Sequence, residues 1–268
     1  MHFGRRKVNV VELFVFDEWQ QNKSITHCYS TRKGGVSSGA FKSMNLGFNR
    51  NDNDTNVLCN YEIMAETLKV DIESFVTAQQ THTKNIKFVT KSDCGNGVTK
   101  PNKFKDVDGI YTNEKGVTLV THYADCVPLF FYAPKAEVIG MAHAGWKGTF
   151  AEIGKEMAMS FHKDFNIPID EIEVGIGPSI CKKCFEVHSD VSDIFLSNEL
   201  FKTCVTKNNK KDKFNIDLWE CNKRSLESIG IKKIYVAELC TCCNKSLFFS
   251  HRRDGANRGS AAGFIALN

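Results

Sequence analysis

Apolar residues recur at helical spacing in some stretches of the chain, and in short continuous or alternating runs elsewhere. Val57, Tyr61, Met64 and Leu68 predict a helix over 56–70, and a second is predicted to open at Thr149 as N-cap, with Phe150, Ile153, Met157 and Phe161 on one face. Two more helices are expected over 187–201 and 218–229. β-Branched and aromatic runs predict strands at 8–16, 27–31, 117–121, 127–132, 138–143, 173–176 and 233–239. Several strands follow one another with no helix between them. The pattern therefore predicts an α/β chain of mixed sheets with helices packed outside, rather than a strictly alternating parallel fold. No repeat, low-complexity tract or Pro/Gly/Ser linker divides it, so one domain over residues 1–268 is expected.

Composition narrows the function. The 268 residues carry 35 basic and 31 acidic side chains, a formal net charge of +4, too little clustered charge for a dedicated nucleic-acid binder. The one dense basic run, Lys207 to Lys213, is broken by two Asn and an Asp and reads as a solvated loop. No apolar stretch approaches the roughly 20 residues that span a bilayer. Glu12 and Asp17 interrupt the N-terminal apolar run before it could form a signal-peptide core. A cytoplasmic protein is expected. Its 11 cysteines, an odd count, are then mostly reduced, and some become candidates for metal binding or catalysis.

Three segments pair a His or Cys with a predicted strand end: Gln80-Thr81-His82-Thr83, Ala124-Asp125-Cys126-Val127 and Ala142-His143-Ala144-Gly145. Two imidazoles and one thiolate are a set that a catalytic zinc takes, leaving a fourth position open. Their spacing is not diagnostic, and core histidines beside a buried thiol are the alternative. The turn Gly145-Trp146-Lys147-Gly148 lets backbone approach a ligand, with Lys147 adding charge. Arg252 and Arg253 suit phosphate or carboxylate, or else a surface ion pair with Asp254. Cys181 and Cys184 could join Cys240 and Cys243 in a four-cysteine metal site; a group of reduced thiols is the alternative. His122, four residues before Cys126, reads as a pocket-lining or accessory group.

Taken together, Gln80-Thr-His82, Tyr-Ala-Asp125-Cys126-Val-Pro128, Ala-His143-Ala-Gly-Trp146-Lys-Gly148, Gly177-Pro-Ser-Ile180 and Phe249-Ser-His-Arg-Arg253-Asp254 resemble the laccase-domain family. Its bacterial members are called polyphenol oxidases, purine nucleoside phosphorylases or peptidoglycan editing factors. The resemblance runs from about Thr31 to Leu267 with the motifs in family order. It implies a four-layer α/β/β/α sandwich and one zinc held by His82, Cys126 and His143. It further implies phosphorolysis of adenosine, inosine, guanosine and methylthioadenosine, and deamination of adenosine. Purine nucleosides and phosphate would be the partners, with Asp125 or His122 moving the proton and Lys147, Arg252 and Arg253 holding the anion. The chain departs from the family pattern at Thr83 (usually Gly), Lys147 (usually Arg) and His251 (usually aromatic). Lys147 cannot reproduce the planar fork of an arginine. A second reading makes Cys126 the nucleophile of an amide hydrolase acting on peptidoglycan precursors, with His82 or His143 as base. Copper-dependent phenol oxidation is less favoured, because the His-rich pairs of a multicopper centre are missing. The oligomeric state has no signature in the sequence.

Overall fold

A computed structural model describes residues 3–268. In chain order the first third holds β1 (Phe3–Val8), β2 (Val11–Phe16), α1 (Asp17–Gln20), β3 (Ile25–Ser30), α2 (Asp54–Leu68) and β4 (Phe75–Val76). The middle holds β5 (Ile86–Phe88), β6 (Gly109–Thr112), β7 (Thr118–Tyr123), β8 (Val127–Ala133), β9 (Val138–Ala144), α3 (Trp146–Phe150), α4 (Ile153–Phe165) and β10 (Glu173–Ile176). The last third holds β11 (Glu186–His188), α5 (Ser189–Leu196), β12 (Val205–Lys207), β13 (Lys213–Ile216), α6 (Leu218–Ser228), β14 (Lys233–Val236), α7 (His251–Asp254) and β15 (Ala261–Leu267). Two six-stranded sheets run β1-β2-β3-β15-β7-β4 and β14-β10-β8-β9-β6-β5, and β11-β13-β12 form a small third sheet.

The strand period of two sorts side chains into layers. On the first sheet, Leu13, Val120 and Phe264 face α2, which contributes Val57, Tyr61 and Met64. Their neighbours Phe16, Leu119 and Ile265 point the other way, against Phe130, Tyr132, Ile139 and Met141 of the second sheet. On the outer face of that sheet, Leu129, Phe131 and Ala142 meet Met157 and Phe161 of α4 and Leu226 of α6. The order is helix, sheet, sheet, helix, the four-layer α/β/β/α arrangement. Glycines fit where the layers come closest: a Cβ on Gly175 would lie 2.4 Å from the Phe16 ring.

Three predicted elements need correction. The strand expected over 8–16 is the second half of a hairpin, turning at Asn9 with φ 52° so that Val8 pairs with Val11. Thr149 is not an N-cap: α3 starts at Trp146 behind Gly145, and the chain breaks at Glu152 (φ 57°) before α4 resumes. Thr149 is instead buried, where its hydroxyl accepts from Asn222 Nδ2 at 3.0 Å. The helix expected over 187–201 is only α5, because Val187 pairs with Phe214 in the small sheet and the chain turns at Asn198 to bury Phe201. The basic run is the solvated turn between β12 and β13, held where Lys210 and Lys213 pair with Glu186. Among the described residues no helix is long and apolar enough to cross a membrane.

Candidate metal centre

The fold brings the three sequence-predicted donors together from three connections. His82 lies on the loop after β4, Cys126 on the turn between β7 and β8, and His143 near the end of β9. One donor atom from each falls within 4.8 Å of the others. Cys126 Sγ is 3.7 Å from His82 Nε2, and the two imidazole rings stand 4.9 Å apart at 68°. Gly145 closes against them: a Cβ there would sit 2.6 Å from His82 Cδ2 and 3.2 Å from Cys126 Sγ. The close packing thus requires a residue without a side chain.

Asp108, which the sequence reading missed, organises the centre. It immediately precedes β6, and the pairing of Gly109 with Ala142 sets it beside His143. Its wholly buried carboxylate accepts from His143 Nδ1 at 2.8 Å. It also accepts from the backbone N–H of Thr81 (3.2 Å), His82 (3.0 Å) and Thr83 (2.7 Å), and from the Thr83 hydroxyl at 2.8 Å. One carboxylate therefore fixes the tautomer of one histidine and the loop of the other, leaving His143 Nε2 as its donor atom. Burial opposes charge on Asp108, but the His143 and Thr83 hydrogen bonds bring its carboxyl down to about 2. Burial also pushes the Cys126 thiol up, and the neighbouring His143 charge with hydrogen bonds from both histidines overcomes it, to about 6. His143 rises to about 9 against burial, through the Cys126 thiolate and Asp108. A thiolate beside an imidazolium is the result, which a cation would replace by displacing the proton. The donor chemistry, the fixed tautomer and the Gly145 cradle fit a single ion of the zinc or copper type.

Asp125, next to Cys126, is tied into the surrounding chain. It has φ 94°, a strained conformation for a residue with a side chain. The carboxylate accepts from Thr241 Oγ1 at 2.6 Å, Ser250 Oγ at 3.0 Å and Arg252 N at 2.7 Å, while its carbonyl accepts from Ile180 N at 2.9 Å. These bonds anchor the turn that presents Cys126.

A cleft of about 1440 Å³ opens over the centre, lined in part by Arg50, Lys147, Arg252 and Arg258. Lys147 is exposed, its Nζ 5.6 Å from the centroid of the Trp146 ring. Arg252 Nη1 donates to the Cys184 and Glu186 carbonyls at 2.8 and 2.9 Å. Arg253 is outside the lining: its guanidinium donates to the carbonyls of Thr241, Cys242 and Phe248 and to Asp254. Arg258 is the residue the sequence reading overlooked. It is 7% exposed, burial brings its pKa down to about 10, and its Nε has no hydrogen-bond partner. Its Nη1 donates to the Gly259 carbonyl at 3.0 Å and to Ser260 Oγ at 3.2 Å, which holds the guanidinium at the cleft wall. His122 packs edge-on against the Tyr61 ring, and burial, with the Arg50 and His143 charges, pushes it down to about 4.

Two mixed sheets between helices, with a His/Cys/His donor set in an arginine-lined cleft, define an α/β protein with a one-ion candidate centre. The chain belongs to the multi-copper polyphenol oxidoreductase laccase family, whose family model matches residues 26–268. It is similar to the purine nucleoside phosphorylase YlmD of Bacillus subtilis, 39% identical over 251 residues that cover 92% of this chain and 90% of the relative. The YlmD of Geobacillus stearothermophilus is 38% identical over 88% of each chain. The crystal structure of that Geobacillus YlmD superimposes with a TM-score of 0.91 and 34% identity, covering 100% of this chain and 99% of the other. The Bacillus licheniformis protein YfiH gives a TM-score of 0.92 at 34% identity over 98% and 99%.

Proposed function

We propose that the chain is a zinc-dependent purine nucleoside enzyme of the cytoplasm, working as one domain. It cleaves the glycosidic bond of adenosine, inosine, guanosine and methylthioadenosine with phosphate, and it deaminates adenosine. The observation that carries this reading is the convergence of His82, Cys126 and His143 in an arginine-lined cleft. Similarity to relatives named purine nucleoside phosphorylases supports it.

His82, Cys126 and His143 would hold the ion, which when bound would supply Lewis acidity. The chain's own groups do the rest. Asp108 keeps His143 and the 81–83 loop in place, and Asp125 keeps the turn that carries Cys126. Arg258 and Arg50, both in the cleft lining, take phosphate through their guanidinium groups. Lys147 and Arg252 lie on the same cleft and contribute charge, while Arg253 holds the 240–248 segment. In phosphorolysis a phosphate oxygen bonds to C1′ as the C1′–N9 bond breaks, the electron pair of that bond leaves on the purine, and the purine takes up the proton that the phosphate gives up. Arg258→Ala should raise the KM for phosphate roughly tenfold or more, the effect of one lost charge-assisted hydrogen bond, with nucleoside KM little changed. Steady-state kinetics in varied phosphate check this, and an unchanged phosphate KM would contradict it.

One observation favours a second reading. A thiol held near about 6 with His82 Nε2 at 3.7 Å also suits a Cys–His amide hydrolase acting on peptidoglycan precursors. Metal-stripped protein separates the two: the hydrolase keeps its activity and the nucleoside enzyme loses it. Metal analysis of the purified protein distinguishes zinc from copper in the same three donors.

A further inference from the structure

Four cysteines outside this centre gather at one point. Cys181-Lys182-Lys183-Cys184 follows β10, and Cys240-Thr241-Cys242-Cys243 follows β14. Because β10 and β14 pair in parallel, the two Cys-x-x-Cys turns leave the sheet side by side. A bridge between Ser179 and Cys240 sets their register, with Ser179 N donating to Leu239 O and Thr241 N to Ser179 O, both at 3.1 Å. The four sulfurs lie within 4.8 Å of one another, and Cys184 and Cys243 approach to 3.4 Å. Backbone N–H groups of Cys181 and Cys243 point at Cys240 Sγ at 3.3 and 3.4 Å, an arrangement that favours a thiolate there.

We propose that Cys181, Cys184, Cys240 and Cys243 hold a second zinc ion, a structural one separate from the His/Cys/His centre. Sulfurs at the corners of a tetrahedron around zinc, each about 2.3 Å from the metal, are about 3.8 Å apart, and the observed grouping matches that size. An iron–sulfur cluster would spread its cysteines wider, because several irons and sulfides lie between them. All four coordination positions are filled by protein, as in structural zinc sites. Four thiolates on one divalent ion carry a net charge of −2, and Lys182 and Lys183 stand within the first turn to offset it.

The ion would clip together the segments that hold the Asp125–Cys126 turn. Thr241, between two ligands, donates to Asp125 Oδ1, and Ile180, next to a third, donates to the Asp125 carbonyl. Arg252 reaches the carbonyl of Cys184, and Arg253 reaches those of Thr241 and Cys242. The second ion therefore acts on the first centre only by positioning it.

Zinc per chain, measured by native mass spectrometry on the full-length protein and on the Cys243→Ser and Cys126→Ala variants, tests the proposal. About two zinc ions per chain are expected in the wild type and about one in each variant. Cobalt substitution then assigns them: the intense sulfur-to-cobalt absorption of a four-thiolate site should persist in Cys126→Ala and vanish in Cys243→Ser. If the nucleoside reading fails at the first centre, the wild type still holds one zinc, which Cys126→Ala keeps and Cys243→Ser loses. A Cys184–Cys243 disulfide, iron in place of zinc, or Cys243→Ser with wild-type zinc and an unchanged cobalt spectrum would overturn the proposal.

Discussion

Asp108 carries more of the centre than any of the three donors it serves. Its two oxygens meet the His143 imidazole, the amides of Thr81, His82 and Thr83, and the Thr83 hydroxyl. Asp108→Ala should weaken metal binding about 10- to 100-fold, the usual effect of removing such a partner. Competition with a chromophoric chelator measures this, and an affinity equal to wild type would contradict the role. Nothing in the local sequence flags Asp108, since its partners come from a distant loop and from strand register. Arg258 is hidden for a similar reason: an orphaned Nε becomes visible only after burial. His82, Cys126 and His143 were legible because the motifs around them match a family pattern, whereas their spacing alone left a metal site undecided. Arg253 reads from sequence either as an anion binder or as an ion-pair partner of Asp254, and its donors go to Asp254 and to main-chain carbonyls.

Elements with clear periodicity were legible. α2 and α6 fall within two residues of expectation, and β8 and β9 stand where the apolar runs are. β15 was not, although it is the strand between β3 and β7. Its sequence AAGFIAL has no polar alternation because it is buried on both faces, and Gly263 and the alanines weaken the β signal. β4 and β5 are too short, at two and three residues, to show a period. The close approach of the two sheets is an element-scale feature, and Gly175 tests it. Gly175→Ala puts a methyl 2.4 Å from the Phe16 ring, which is itself buried and packed on Phe3, Trp19 and Phe130. The variant should lose about 1–3 kcal/mol in urea unfolding, as overpacked sites do. No loss would mean that the sheets separate more freely than this packing allows.

At the scale of the whole molecule, two buried sheets and their helices leave some titratable groups without water. His27, 6% exposed and packed on Phe16 and Trp19, accepts from Phe16 N at 2.9 Å. Burial lowers its imidazole to about 4. The unfolded chain takes up that proton near its ordinary value of about 6.5, the folded chain not until about 4. Stability from this group is therefore complete above about 6.5 and falls as pH drops toward 4, by about 3 kcal/mol at most. Urea unfolding from about pH 7 to pH 4.5 should show that loss in the wild type and a shallower one in His27→Gln; equal slopes would contradict it. The layer order itself follows from the strand alternation once the two sheets are known, but which strands share a sheet is set by pairings between distant segments that periodicity does not encode. The central claim, a zinc-dependent purine nucleoside enzyme, meets its most direct test in one experiment. Zinc-quantified protein is incubated with adenosine, with and without phosphate, and the products are separated by chromatography. Adenine that appears only with phosphate, beside inosine formed without it, is the predicted result; neither product from zinc-loaded protein would contradict the account.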